Sequence, residues 1–149
     1  MAEAELDALS LQVFRIFARC GYALKAAGFH NGEGNAEANW RNFAISIEDL
    51  FANPPTPELQ AAIAYILAHP PKKQIIKNDF LEWDLAPPVT NSRADLVLLY
   101  VRRVRNNLFH GGKFNGHWFD PERSEALLRH SLQILTSAVQ HSDAVRQAY

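Results

Sequence analysis

Apolar residues recur at steps of three and four from Leu6 through Leu9, Val13, Phe14, Phe17 and Cys20 to Leu24, the period of one buried helix face. A helix over 5–27 follows, ended by Gly28. The polar run FHNGEGNAEAN, Phe29 to Asn39, reads as a loop. Trp40, Phe43, Ile47, Leu50 and Phe51 return to the helical period, and a helix over 40–51 is expected, although Ala44-Ile45-Ser46-Ile47 also mimics a strand. Thr56-Pro57-Glu58 combines a hydroxyl N-cap, a proline at the first helical position and an early acid. The helix they start runs through Leu59, Ile63, Ile66 and Leu67 to His69 and stops at Pro70-Pro71.

Residues 72–85 carry Ile75, Ile76, Phe80, Leu81 and Trp83 and end before Pro87-Pro88, so they read as a further helix, whole or broken. Ser92-Arg93-Ala94-Asp95 has the form of a capping box. It opens a segment in which Val97, Val101, Val104 and Leu108 make a 4-3-4 stripe, with Gly111 as the terminator. After the loop GGKFNGHWF, Asp120-Pro121-Glu122 repeats the cap logic for a last helix bearing Leu127, Leu128, Ser131, Leu132, Ile134, Leu135, Ala138 and Val139. There is no alternating strand set, no Asn-Gly hairpin between β-branched runs and no internal repeat. The expected fold is all-α, five or six helices in a bundle, as one domain over 1–149.

Composition supports a real core: of 149 residues, 48% are hydrophobic and only 7 are Gly and 8 Pro. The N-terminus is acidic where a secretory leader is basic, and no run approaches the roughly 18 apolar residues of a membrane span. A cytoplasmic protein without a membrane partner is expected. The lone Cys20 excludes an intrachain disulfide and a multi-cysteine zinc site, and its place on the apolar stripe makes it core. A net charge of -1 argues against coating nucleic acid over the whole surface. Locally the balance differs. Arg93, Arg102, Arg103, Arg105 and Lys113 face the single acid Asp95, giving +4 between residues 93 and 113. That cluster suits a phosphate-bearing ligand, or it is a solvated helix face.

Within it, Arg105-Asn106-Asn107-Leu108-Phe109-His110 is followed at once by Gly111-Gly112. At about 100° per residue, Arg103 and His110 nearly eclipse, and Asn106 and Asn107 join them on a polar face. Arg105 lies roughly 140° from His110 and borders the apolar stripe. The chemistry of this set suits RNA. A histidine acts as base or acid near neutral pH, an arginine grips phosphate oxygens in a bidentate fork, and an asparagine orients the ribose or phosphate. The competing role for a histidine before glycine is a favourable cation at a helix C-terminus.

The string Arg-Asn-Asn-Leu-Phe-His-Gly-Gly, residues 105–112, resembles the signature of the HEPN superfamily (higher eukaryotes and prokaryotes nucleotide-binding): an arginine, commonly a polar residue after it, and a histidine a short way on. The flanking pattern agrees, with the motif late in a long helix, glycine next, and one more apolar helix to close the domain. The resemblance implies a HEPN-like bundle and a metal-independent endoribonuclease, with no cofactor. In it Arg105 is phosphate ligand and transition-state stabiliser, His110 is acid or base, and Asn106 is an orienting group. It also implies a homodimer through the motif-bearing helices, which gives the displaced Arg105 a use in a cleft shared by two chains. A toxin or phage-defence role, with a neutralising protein partner, follows from the same resemblance.

Around the motif, Arg102, Arg103, Asn107, Lys113, His117 and Trp118 are candidate substrate contacts. Trp118 either stacks on a base or pins its loop to the bundle. His30, His69, His110, His117, His130 and His141 contain no i, i+4 pair and no HExxH, so no metal site is expected, and GEGNAE at 32–37 matches no phosphate-loop pattern. The alternatives to an enzyme are a catalytically inactive HEPN-like module that binds nucleic acid or protein, and a helical interaction protein in which Arg105 is a buried structural ion.

Overall fold

Gly28 adopts a φ of +96°, a backbone conformation that side chains disfavour, and the chain leaves helix α1 (Glu3–Ala26) there. The computed structural model describes residues 3–109, 113–114, 117–118 and 121–149. Along α1 the expected stripe is buried at Leu6, Leu9, Val13, Phe17, Cys20 and Leu24, while Phe14 is only half-buried. Burial pushes the Cys20 thiol up to about 12, against a smaller downward pull from Arg19, so it stays an inert core group.

The segment expected as one helix over 40–51 is two, α2 (Trp40–Ser46) and α3 (Glu48–Ala52), separated at Ile47 (φ -119°, ψ 27°). The apolar phase survives the break, since Trp40, Phe43, Ile47, Leu50 and Phe51 are all buried. Helix α4 (Pro57–Ala68) begins as its cap predicts: Thr56 Oγ1 accepts from the Leu59 N–H at 3.2 Å.

Residues 72–85 are not a helix. They form an antiparallel hairpin of β1 (Lys73–Lys77) and β2 (Phe80–Asp84), in which Lys77 pairs with Phe80 across Asn78-Asp79. Both loop residues have positive φ, 52° and 71°, the geometry of a two-residue hairpin turn. Asn and Asp tolerate it better than other side chains because they bond locally to the backbone. A helix here would have needed a core for its large apolar residues. In the hairpin Ile76, Phe80 and Leu81 are 70%, 70% and 62% exposed.

Helix α5 (Arg93–Phe109) starts at Ser92, whose Oγ accepts from the Asp95 N–H at 3.0 Å. The reciprocal half of the expected box is supplied from elsewhere. The Ser92 N–H donates to Thr90 Oγ1, and the Glu48 carboxylate of α3 accepts from the Ser92 hydroxyl at 2.5 Å and from the N–H groups of Arg93 and Ala94 at 2.9 and 3.2 Å. Val97, Val101 and Val104 are buried as the stripe requires.

Beyond α5, Gly111 and Asp120, the expected terminator and cap, lie outside the described residues. The stretch expected as a loop holds a second short ladder, β3 (Lys113–Phe114) with β4 (His117–Trp118). Helix α6 (Pro121–His141) follows, and Ser142 caps α7 (Asp143–Ala148). Among the described residues there are thus seven helices and two small hairpins, a mostly helical, all-α-like chain with two minor strand pairs that the sequence reading did not expect. The main core gathers α1, α4 and α6 around α5, with α2 and α3 across its other side, and Leu6, Leu9, Val13, Val104 and Leu128 fill a second cluster at one end. No described helix is long and apolar enough to cross a membrane.

Candidate functional site

The buried valines of α5 fix the direction of its polar residues. With Val101 and Val104 inward, Arg102, Arg103, Arg105, Asn106 and Asn107 come to line one cleft of about 520 Å³. Its opposite wall is the start of the hairpin, Lys73 and Gln74. The described lining holds four cations and no carboxylate, a composition that raises the local concentration of anions.

The cations are held differently. Arg105 donates from Nε and Nη2 to Asn106 Oδ1 at 3.1 and 2.8 Å, and its guanidinium carbon lies 4.4 Å from the centroid of the Phe17 ring. The helical wheel placed it beside the apolar stripe, and Phe17 is the apolar surface it covers. Burial pulls its pKa below the ordinary guanidinium range, and no carboxylate of the described residues pairs with it. Among the described residues, that is not the setting of a structural ion neutralised by a buried acid.

Arg102 is closer to that description. Its Nη2 is 3.9 Å from Oδ1 of the buried Asp95, and its Nε donates to the Leu98 carbonyl at 3.4 Å. Burial lowers its pKa, Asp95 opposes that, and the neighbouring Arg105 adds to the lowering. Arg103 lies with its guanidinium 5.6 Å from the Tyr100 ring. Asn107 lines the cleft while its Nδ2 donates to the Lys72 carbonyl at 2.7 Å, tying α5 to the strand that forms the opposite wall.

A second cleft, about 800 Å³, shares Arg105 and Asn106 and is lined by Phe14, Phe17, Tyr22 and Trp40 together with Lys25 and Glu37. Arg105 and Asn106 therefore form the ridge between a cationic cleft and an aromatic one.

No family model, curated protein or solved structure matches the chain. What the clefts can do follows from their own side chains.

Of the residues singled out in the sequence, Arg102, Arg103, Arg105, Asn106 and Asn107 share the cationic cleft. His110 lies outside the described residues. Lys113, His117 and Trp118 belong to the β3–β4 ladder, in which Lys113 pairs with Trp118 and Phe114 with His117. Among the described residues no group of three His, Cys, Asp or Glu side chains is placed to hold a metal ion. The sequence reading missed Lys73, Gln74, Phe17 and Trp40. The charge count along 93–113 excluded Lys73 because the hairpin brings it in from elsewhere in the chain. The signal for it was Asn78-Asp79, a pair suited to positive φ between two apolar runs.

Proposed function

We propose that the protein is a metal-independent endoribonuclease of the HEPN type, acting as a homodimer whose motif-bearing helices meet at the cleft. The observation that supports this most is the cleft itself: Lys73, Arg102, Arg103 and Arg105 beside Asn106 and Asn107, with no carboxylate in its described lining. A polyanion is the ligand such a surface selects.

In the reaction, the ribose 2′-oxygen bonds to the adjacent phosphorus as the bond from phosphorus to the 5′-oxygen breaks. The 2′-hydroxyl proton passes to a base, and the departing 5′-oxygen takes a proton from an acid, leaving a cyclic phosphate. His110 supplies one of these proton transfers. Arg105 offsets the charge that builds on the phosphorane, and the hydrogen bonds to Asn106 fix its fork. Within this proposal the cellular setting is a toxin or phage-defence component checked by a neutralising partner.

Incubating the protein with mixed RNA in EDTA, beside His110→Ala and Arg105→Ala, tests it. Cleavage lost in both variants while they remain folded is the expected result. Equal cleavage by wild type and His110→Ala would sink the proposal.

One observation favours a second reading, an inactive module that only binds nucleic acid. Two of the Arg105 donor groups are already engaged by Asn106. Binding without cleavage in the same assay would select it.

A further inference from the structure

The register of the hairpin pairs Gln74 with Trp83 and Ile76 with Leu81. Directly paired residues of an antiparallel ladder share a face, with Cβ atoms about 5 Å apart. One face of the hairpin therefore carries Gln74, Ile76, Leu81 and Trp83. It begins in the cationic cleft, whose wall includes Gln74, and runs out to Trp83, Leu81 and Ile76, which are 42%, 62% and 70% exposed. Large apolar side chains left in water side by side and bordered by polar groups are a feature of interaction surfaces.

Its position limits what binds. On the cleft side the occupant must carry regular negative charge to meet Lys73, Arg103 and Arg105. On the hairpin side it must offer flat apolar surface to an indole, and polar edges to the amide of Gln74, which both donates and accepts. A nucleic-acid strand with unpaired bases has all three properties, whereas a duplex keeps its base faces within the stack. The hairpin is also tied to α5, because Asn107 donates to the Lys72 carbonyl just before β1. The two halves of the surface thus stand in a fixed relation.

We propose that Gln74 and Trp83 form a base-binding subsite at the mouth of the cleft, and that this makes single-stranded rather than duplex RNA the ligand. A base stacks on the Trp83 indole beside Leu81, Gln74 bonds to its edge, and the phosphates lie along Arg103 and Arg105 of α5. The inference rests on the RNA reading above and adds strandedness and two residues to it.

The test uses fluorescence anisotropy with three probes: an unstructured 2′-O-methyl RNA, which cannot be cleaved, a duplex of the same length, and an abasic strand of equal charge. Wild type should bind the unpaired strand about tenfold more tightly than the other two. Trp83→Leu keeps an apolar side chain but no ring, and should lose that advantage while binding the duplex and abasic strand as before. Trp83→Phe should restore most of it. Equal affinity of wild type and Trp83→Leu for the unpaired strand overturns the subsite, and so does equal wild-type affinity for strand and duplex. Either result alongside wild-type cleavage of RNA in EDTA leaves the ribonuclease reading standing. No binding and no cleavage by wild type removes both, and tighter binding of an acidic amphipathic peptide than of any RNA assigns the surface to a protein partner instead.

Discussion

Arg105 and its chain neighbour Asn106 are joined by two hydrogen bonds, from Nε at 3.1 Å and Nη2 at 2.8 Å to one amide oxygen, above the ring of Phe17. Adjacent residues on a helix do not face one another, so both side chains have turned to make this contact. The amide fixes the plane of the guanidinium at the ridge between the clefts. Under the proposed ribonuclease function, removing it in Asn106→Ala is expected to lower the RNA cleavage rate by tenfold to a hundredfold, the order associated with a displaced catalytic group. Asn106 is exposed, so stability should change by no more than about 0.5 kcal/mol. Asn106→Asp should be the more damaging of the two, since a carboxylate would neutralise the cation it orients. Single-turnover cleavage with circular-dichroism melts checks this, and a wild-type rate in Asn106→Ala would remove Asn106 from the site.

Glu48 fixes the start of the helix that carries the cleft. Its carboxylate accepts from the Ser92 hydroxyl and from two backbone N–H groups in the first turn of α5, the end at which the helix dipole favours negative charge. Glu48→Ala leaves those donors without their partner and is expected to cost about 1–3 kcal/mol in urea unfolding. Glu48→Gln keeps an acceptor without the charge and should cost less. Equal, negligible losses in both would mean that water replaces the carboxylate freely.

The helix phases were legible because one face of each helix is buried against the same core, so Leu6 to Leu24 and Val97 to Val104 announce both helix and orientation. The caps at Thr56 and Ser92 were legible because their bonds reach only three residues along the chain. Glu48 was not, since its partners lie 44 to 46 residues away. The hairpin failed for a different reason. Periodicity detects burial, and Ile76, Phe80 and Leu81 are large apolar residues that the fold leaves exposed. Of the candidate site, the cations on α5 could be read from local sequence, while Lys73 and Gln74 depended on a turn whose Asn-Asp pair is weaker than Asn-Gly.

That turn can be tested directly. Asp79 sits at a φ of 71°, where glycine carries no steric penalty. Asp79→Gly creates an Asn-Gly turn and is expected to stabilise the hairpin by about 0.5–1 kcal/mol. Asp79→Val, with a branched side chain at the same φ, should destabilise it. Amide hydrogen exchange at residues 73–77 and 80–84 reports the difference, slower in the glycine variant. Faster exchange there in Asp79→Gly would contradict a positive-φ turn.

The protein should also lose stability on mild acidification, through His130. Its ring packs on Tyr65 at 4.7 Å between centroids, and Tyr65 stacks in turn on His69 at 4.4 Å. Burial holds the His130 pKa below its ordinary value, because an imidazolium there would have lost part of its water. In the unfolded chain the same residue takes its proton near pH 6.5. Between those two pKa values the unfolded state binds more protons, so stability rises with pH across the window. The stability present above about pH 6.5 is therefore lost as the pH falls through the folded value. His130→Phe keeps an aromatic ring against Tyr65 and removes the titration. Melting temperatures of the two proteins, measured from neutral to mildly acidic pH, should diverge, with wild type falling faster. Parallel profiles would show that His130 is protonated equally well in the folded and unfolded chains.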